Sequence, residues 1–310
     1  MLVDGRWTQD WHPYQSKDGE GRFLRQRSSF RERVGSPQHP AEPGRYRLYV
    51  ALICPWASRT LMVRALKGLR ALVPITVVEP FLTSEGWRFG AFPGASGDDP
   101  ERGARAMHEL YTYADPHYTG RATVPVLWDS AEQTIVNNES VDIVRMLNSA
   151  FDDVGANADV DLYPRHLRDA IDRLAERMYR RLNNGVYRAG FASTQSAYDE
   201  AVRDVFAELD ALDTQLSDGR SFLLGDALTE LDVRAFVSLV RLDVAYFGLF
   251  KCNLRPLASY LHLATYCERI LAIEGIRETV NLEHIKRGYY SIEALNPSGI
   301  VPVGPLREAS

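Results

Sequence analysis

Residues 48–69, LYVALICPWASRTLMVRALKGL, pass from a continuous apolar block into a helical pattern, with a cysteine and a proline at the join. The block reads as a buried strand, and SRTLMVRALKGL places Leu61, Ala65 and Leu69 on one helical face. Pro55 suits the first helical position, where its missing N–H leaves nothing unpaired. The Cys54 sulfur is therefore expected beside the unsatisfied donors of that helix. Such donors favour an anion and can draw a thiol pKa below its free value of about 8.5. A reactive thiolate is the expectation; a cysteine that only packs is the alternative.

ITVVE at 75–79 reads as a second strand and completes a strand–helix–strand unit. PVLWD at 125–129 and TIVN at 134–137, separated by SAEQ, suit an antiparallel hairpin, with a helix to follow from about Ser140 to Asn148. The order βαβ then ββα predicts a thioredoxin-like domain over residues 45–150. It carries an insertion at about 81–120, a length that rarely stays structureless unless it is functional. From about residue 160 the strand signal stops. LRDAIDRLAERMYRRL, SAYDEAVRDVFAELDALDTQL, ELDVRAFVSLVRLDVAYFGLF and LASYLHLATYCERILAI each read as one long helix, so residues 160–290 form an all-helical domain. The fold class is α/β plus all-α. In LTELDV, Thr229 and Asp232 read as a capping-box variant with Leu228 and Val233 as its hydrophobic staple, which makes Asp232 a folding residue rather than a catalytic acid. Residues 1–44 carry almost no apolar period and are expected to run over a surface outside the core. Residues 291–310, containing NPSGIVPVGPL, read as a C-terminal strap.

A chain of 310 residues is long enough for both domains, and its formal net charge of −5 gives no electrostatic reason to expect nucleic acid as a partner. The start, MLVDGRWTQDWHPY, lacks an export signal and no run approaches a membrane span, so a cytoplasmic protein without a membrane partner is expected. Cys54, Cys252 and Cys267 are odd in number and far apart, which fits reduced thiols. No zinc spacing occurs, so no metal is expected. Without a C-x-x-C, thiol chemistry must be of the one-cysteine kind, the second sulfur coming from a small molecule or partner.

A thioredoxin-like domain followed by a helical one, with a reactive residue at the first helix start, resembles the glutathione transferases. CPWA at 54–57, GRATVPVLWD at 120–129, NNES at 137–140, NNGVYRAGFA at 183–192, LTELDVRAF at 228–236, FGLFKCNLRP at 247–256 and NPSGIVPVGP at 296–305 occur in the order of the glutathionyl-hydroquinone reductases, the Xi class. The resemblance runs from about Trp7 over nearly the whole chain. It implies glutathione as co-substrate, a glutathionylated hydroquinone as substrate and a homodimer as assembly.

Within that frame each motif has a chemical use. A cis proline in Thr123-Val124-Pro125 would leave the Val124 N–H and C=O to pair with the cysteinyl backbone of glutathione, as in strand addition at a sheet edge; Val124 as plain core is the alternative. Glu139 and Ser140 stand at a helix start, where N–H donors and the Ser140 hydroxyl can hold the γ-glutamyl carboxylate while Glu139 pairs with the ammonium. The resemblance gives Trp87 a place over the glutathione, and Tyr187, Tyr246 and Tyr290 a place around the hydroquinone. Helix-packing aromatics are the alternative for all three tyrosines. HIKRGYY at 284–290 departs from the family in carrying Gly288 where a histidine is common. His284 reads as a hydrogen-bonded structural residue, and Cys252 and Cys267 as buried packing residues. The implied activity is reductive removal of glutathione from glutathionyl-hydroquinones through a Cys54–glutathione mixed disulfide. The alternatives are an omega-like one-cysteine thiol transferase or dehydroascorbate reductase and, in another class, a non-catalytic binding protein of the same fold.

Overall fold

The computed structural model of the chain describes residues 1–9 and 16–305. A short hairpin of β1 (Leu2–Val3) and β2 (Arg6–Trp7) precedes β3 (Tyr46–Val50), the strand of the RYRLYVALI block. Tyr46, Leu48, Tyr49 and Val50 are fully buried, which is why this strand reads as a continuous apolar run instead of an alternating one. α1 (Pro55–Leu66) follows, with Cys54 as its N-cap and Pro55 at its first position. β4 (Ile75–Val77) lies parallel to β3. The insertion holds a hairpin of β5 (Leu82–Thr83) and β6 (Gly86–Trp87), then α2 (Met107–Ala114). β7 (Val126–Asp129) pairs antiparallel with β3, and β8 (Thr134–Asn137) with β7, giving the sheet order β4–β3–β7–β8. α3 (Ser140–Ser149) closes this half and packs against α1.

The chain forms two compact units. The first is built from Arg25–Asp161 with the described N-terminal residues and Glu274–His284; the second from Leu162–Ile273 with residues 16–24 and 285–305. The N-terminal extension is thus divided between them and is not confined to a surface. Arg31 bridges antiparallel to Asn137, Glu32 N–H donates to Val136 O at 3.0 Å and Asn138 N–H to Phe30 O at 3.2 Å, so the extension pairs with the outer side of β8. Edge N–H and C=O groups need such partners. Farther on, His39, 1% exposed, sets Nδ1 2.8 Å from Asp129 Oδ2, and Arg45 pairs with the same carboxylate. Residues 274–284, read from sequence as part of the helical domain, pack in the first unit; Arg70 reaches both Gly275 O and Glu278 Oε2 at 3.2 Å.

The second unit is helical: α4 (Arg168–Met178), α5 (Gly185–Gly190), α6 (Gln195–Leu216), α7 (Glu230–Leu239) and α8 (Leu261–Leu271). α9 (Leu282–Tyr290) starts in the first unit and ends in the second. The single helix expected over 230–250 is not formed. α7 stops at Leu239, and Leu242–Tyr246 winds as a π turn in which the Arg241 carbonyl accepts from both Ala245 N–H (3.0 Å) and Tyr246 N–H (3.2 Å). A second π turn, Tyr179–Asn183, follows α4. The capping box at Thr229 and Asp232 is present. The Asp232 carboxylate takes hydrogen bonds from Thr229 N–H, Leu223 N–H and the Tyr266 hydroxyl at 2.8–2.9 Å. Burial still holds its pKa above the ordinary carboxylate value. In the C-terminal segment Lys286 Nζ donates to Val303 O at 2.6 Å; residues 306–310 of the expected strap, and 10–15 of the start, lie outside the described residues. No helix among the described residues is long and apolar enough to cross a membrane.

Candidate active site

Cys54 is buried at the start of α1, where the sequence places it, but its sulfur does not cap the helix. The thiol instead donates to the Val124 carbonyl at 3.5 Å, and the Val124–Pro125 peptide is cis. Positive charge gathers on the first turns of the same helix. The guanidiniums of Arg25 and Arg59 stand 4.7 and 4.4 Å from the centre of the Trp56 ring. Burial, and then the neighbouring Arg25, push the Arg121 pKa down to about 10. Trp56 and Arg59 are three apart on α1, the spacing of helical neighbours, whereas no pattern in the sequence marks the Arg25 contact, which joins residues far apart in the chain.

Glu139 and Ser140 are brought together at the start of α3. Glu139 is the N-cap and accepts from Val141 N–H at 3.4 Å, with the Ser140 hydroxyl 3.5 Å from Glu139 Oε1. Ser28 of the extension donates to Glu139 Oε2 at 3.0 Å, a contact that sequence reading missed. The segment before this helix is tied to the one that carries Val124 by one buried phenol of the insertion. Tyr111 Oη donates to Thr123 O (2.9 Å) and accepts from Thr123 N–H (3.2 Å) and Asn138 Nδ2 (3.1 Å). Thr123 precedes Val124, and Asn138 precedes Glu139. Trp87 is half-buried on β6 and pairs across the hairpin with Leu82.

In the second unit Tyr187, Tyr246 and Tyr289 form a chain of hydroxyls. Tyr289 Oη lies 2.5 Å from Tyr187 Oη and 3.2 Å from Tyr246 Oη. The Phe250 ring stacks on Tyr246 at 5.4 Å and touches the other two rings. Its seat depends on Gly190, where an added Cβ would fall 2.3 Å from Phe250 Cγ. Burial pushes the Tyr289 phenol far above its ordinary pKa, with Tyr187 and Tyr246 adding and Arg241 opposing, so the group is held as neutral phenol. Tyr290, the sequence candidate, stands outside this chain. Its hydroxyl packs so close to Gly248 that a Cβ there would be 2.4 Å away, and the Leu249 N–H reaches it. Adjacent tyrosines in HIKRGYY differ only in helical phase, which the sequence did not resolve.

The remaining candidates are buried. Cys252 is fully buried, and burial pushes its thiol up to about 12; Cys267 is buried on α8. His284 is fully buried, places Nε2 2.8 Å from Pro93 O and meets Phe92 edge to face.

Two family models match the chain: "Glutathione S-transferase, N-terminal domain" over residues 53–150 and "Glutathione S-transferase, C-terminal domain" over 195–269. The glutathionyl-hydroquinone reductase PcpF of Sphingobium chlorophenolicum is 48% identical over 309 residues, covering 99% of this chain and 96% of that protein. The crystal structure of the glutathione-S-transferase Xi from Phanerochaete chrysosporium superposes with a TM-score of 0.89 at 45% identity, over 92% of this chain and 98% of that one. The glutathione-bound structure of YqjG from Escherichia coli K-12 gives 0.89 at 42% identity, over 99% and 96%.

Proposed function

The chain belongs to the glutathione S-transferases, and within them to the Xi-class glutathionyl-hydroquinone reductases, and from that premise we propose that it removes glutathione from glutathionyl-hydroquinones with Cys54 as nucleophile. The observation that carries this reading is the Cys54 sulfur at a helix start, 3.5 Å from the Val124 carbonyl. Glutathione laid along Val124 as a short antiparallel ladder brings its own sulfur to that position. The γ-glutamyl carboxylate is assigned to the α3 N–H groups and Ser140, the ammonium to Glu139, and Trp87 covers the peptide.

In the first step the Cys54 thiolate attacks the glutathione sulfur of the aryl thioether. In the ketone tautomer the ring carbon that bears sulfur has already taken a proton; the carbon–sulfur bond breaks, its electron pair passes through that carbon to the ring carbonyl oxygen, and that oxygen takes a proton. Hydroquinone leaves and Cys54 is left as a mixed disulfide with glutathione. A second glutathione thiolate attacks the glutathione sulfur of that disulfide, releasing oxidised glutathione and restoring the Cys54 thiolate. Breaking a carbon–sulfur bond to an aromatic ring requires a ketone tautomer, and phenolic donors at the ring oxygens favour it. The hydroxyl chain of Tyr187, Tyr289 and Tyr246 is assigned this task, and Tyr290 offers a ring face. A conjugating transferase needs a hydroxyl donor at the nucleophile position, where a cysteine thiolate would repel the glutathione thiolate. Family resemblance supports a homodimer, and the three cysteines, odd in number and far apart in the chain, fit reduced thiols and support a reducing, cytoplasmic setting.

Steady-state turnover of glutathionyl-hydroquinone, dehydroascorbate and chlorodinitrobenzene tests the reading. The first substrate is expected to lead. Preference for dehydroascorbate would move the protein to an omega-like activity, and no turnover of any would leave a binding protein.

A further inference from the structure

Two side chains of the N-terminal extension reach the start of α3. Ser28 Oγ donates to Glu139 Oε2 at 3.0 Å and lies 3.2 Å from Asn138 O. Arg31 Nε donates to Asp142 Oδ2 at 2.5 Å, and Asn137 Nδ2 approaches the same oxygen at 3.3 Å. Both are delivered by chain already paired with β8. Phe30 N–H donates to Asn138 Oδ1 at 3.2 Å, Arg31 bridges to Asn137, and Asn137 Nδ2 donates to Glu32 O at 3.0 Å.

This helix start carries two carboxylates, Glu139 as N-cap and Asp142 in the first turn. A γ-glutamyl group brings one ammonium and one carboxylate. Glu139 suits the ammonium, but an uncompensated Asp142 would repel the carboxylate from the very N–H groups that should hold it. Arg31 pairs with Asp142, and the field of Glu139 adds to that of Asp142 in keeping the guanidinium charged. Ser28 holds Oε2 of Glu139 at 3.0 Å, while Oε1 takes the longer contacts from Val141 N–H (3.4 Å) and the Ser140 hydroxyl (3.5 Å) and, with two lone pairs on a charged oxygen, is the one that a ligand ammonium would compete for.

Resting on the reading that the γ-glutamyl end of glutathione docks at α3, we propose that Ser28 and Arg31 are positioning residues of the glutathione site. Arg31 makes the helix start receptive to the carboxylate, and Ser28 aims Glu139 at the ammonium. The extension is then a working part of the site.

The test is calorimetric binding of S-methylglutathione, which keeps the γ-glutamyl end and cannot react, to the full-length protein. Arg31→Met should weaken binding by about two- to fivefold, the scale of an exposed ion pair. The loss should shrink at about 1 M NaCl, where the Debye length falls to about 3 Å, and adding Asp142→Asn should restore affinity. Ser28→Ala should weaken binding to a similar extent, Ser28→Thr should restore it, and in a Glu139→Gln background Ser28→Ala should change nothing. If Glu139→Gln loses affinity while Arg31→Met and Ser28→Ala bind normally, the proposal fails and the site stands. A loss in Arg31→Met that neither salt nor Asp142→Asn relieves also overturns it, as general disruption. If Glu139→Gln itself binds normally, the docking reading fails and the proposal with it.

Discussion

The Cys54 thiol donates to the Val124 carbonyl across 3.5 Å, the same carbonyl that a strand-like glutathione would use. This contact favours the protonated sulfur, whereas the α1 start favours the thiolate.

We expect the helix start to prevail. Iodoacetamide alkylation of Cys54 as a function of pH should give an apparent pKa below about 8.5, the free-cysteine value. Cys252, with its thiol pushed up to about 12, should stay unmodified in the folded protein. An apparent pKa at or above the free value for Cys54 would mean that the carbonyl governs it.

Replacing Cys54 by Ser should abolish reductase turnover, because a hydroxyl cannot form the mixed disulfide. Incubating the parent protein with oxidised glutathione should yield one adduct by mass spectrometry, on Cys54. An adduct on Cys252 or Cys267, or substantial turnover by the Ser variant, would place the nucleophile elsewhere.

For the hydroxyl chain, Tyr187→Phe, Tyr246→Phe and Tyr289→Phe should each slow attack on glutathionyl-hydroquinone by about 10²-fold, the scale of a lost acid–base contact. Reduction of the pre-formed Cys54–glutathione disulfide should be nearly unchanged. Equal slowing of both steps would assign a tyrosine to packing. Tyr290→Phe is the comparison, and a matching selective loss there would bring its hydroxyl into the chemistry.

Tyr111→Phe removes the partner of the part-buried Thr123 C=O and N–H and of the buried Asn138 amide. A buried polar group left without its partner costs about 1–3 kcal/mol, so thermal unfolding should show a clear loss of stability. The Michaelis constant for glutathione should rise more than turnover falls, because the phenol joins the segments that carry Val124 and Glu139. Unchanged glutathione affinity in a destabilised variant would reduce the residue to a core role.

Acid should weaken the first unit through Asp129. Burial raises the pKa of this carboxyl, but hydrogen bonds from Arg45, His39 and the Glu132 and Ala131 N–H groups outweigh it and leave the pKa below its ordinary value. Its contribution is complete above the unfolded carboxylate pKa of about 3.9 and is lost as pH falls through the lower folded value. Asp129→Asn should lower the melting temperature at neutral pH and flatten its decline below about pH 4. An unaltered acid slope would assign that decline to other carboxylates.

The strand–helix–strand unit, the hairpin and the helix from Ser140 were legible because each is an apolar block or a regular period bounded by polar turns. The places of Cys54, Glu139 and Ser140 at helix starts were legible for the same reason, whereas Val124, two residues before β7, was singled out by the proline that follows it. Ser28, Arg31 and His39 were not, since they sit in a polar, aperiodic stretch whose order comes from pairing with β8. Tyr289 was passed over for its neighbour because the phase of a short helix is fixed by tertiary packing. The break at Leu239 was invisible, because VSLVRLDVAYFGLF keeps its apolar character through the turn.

A π turn is an α-helix holding one residue too many, and each residue of an α-helix advances the next side chain by about 100°. The turn at Leu242–Tyr246 therefore acts as an indexing device. Tyr246 at its end, and Phe250 beyond it, are set one step further round than a turn one residue shorter would leave them. Shortening that turn by a single residue would swing Tyr246 away from Tyr289 without changing any side chain of the cluster. Relatives that tolerate any side-chain change there should still be intolerant of a one-residue deletion.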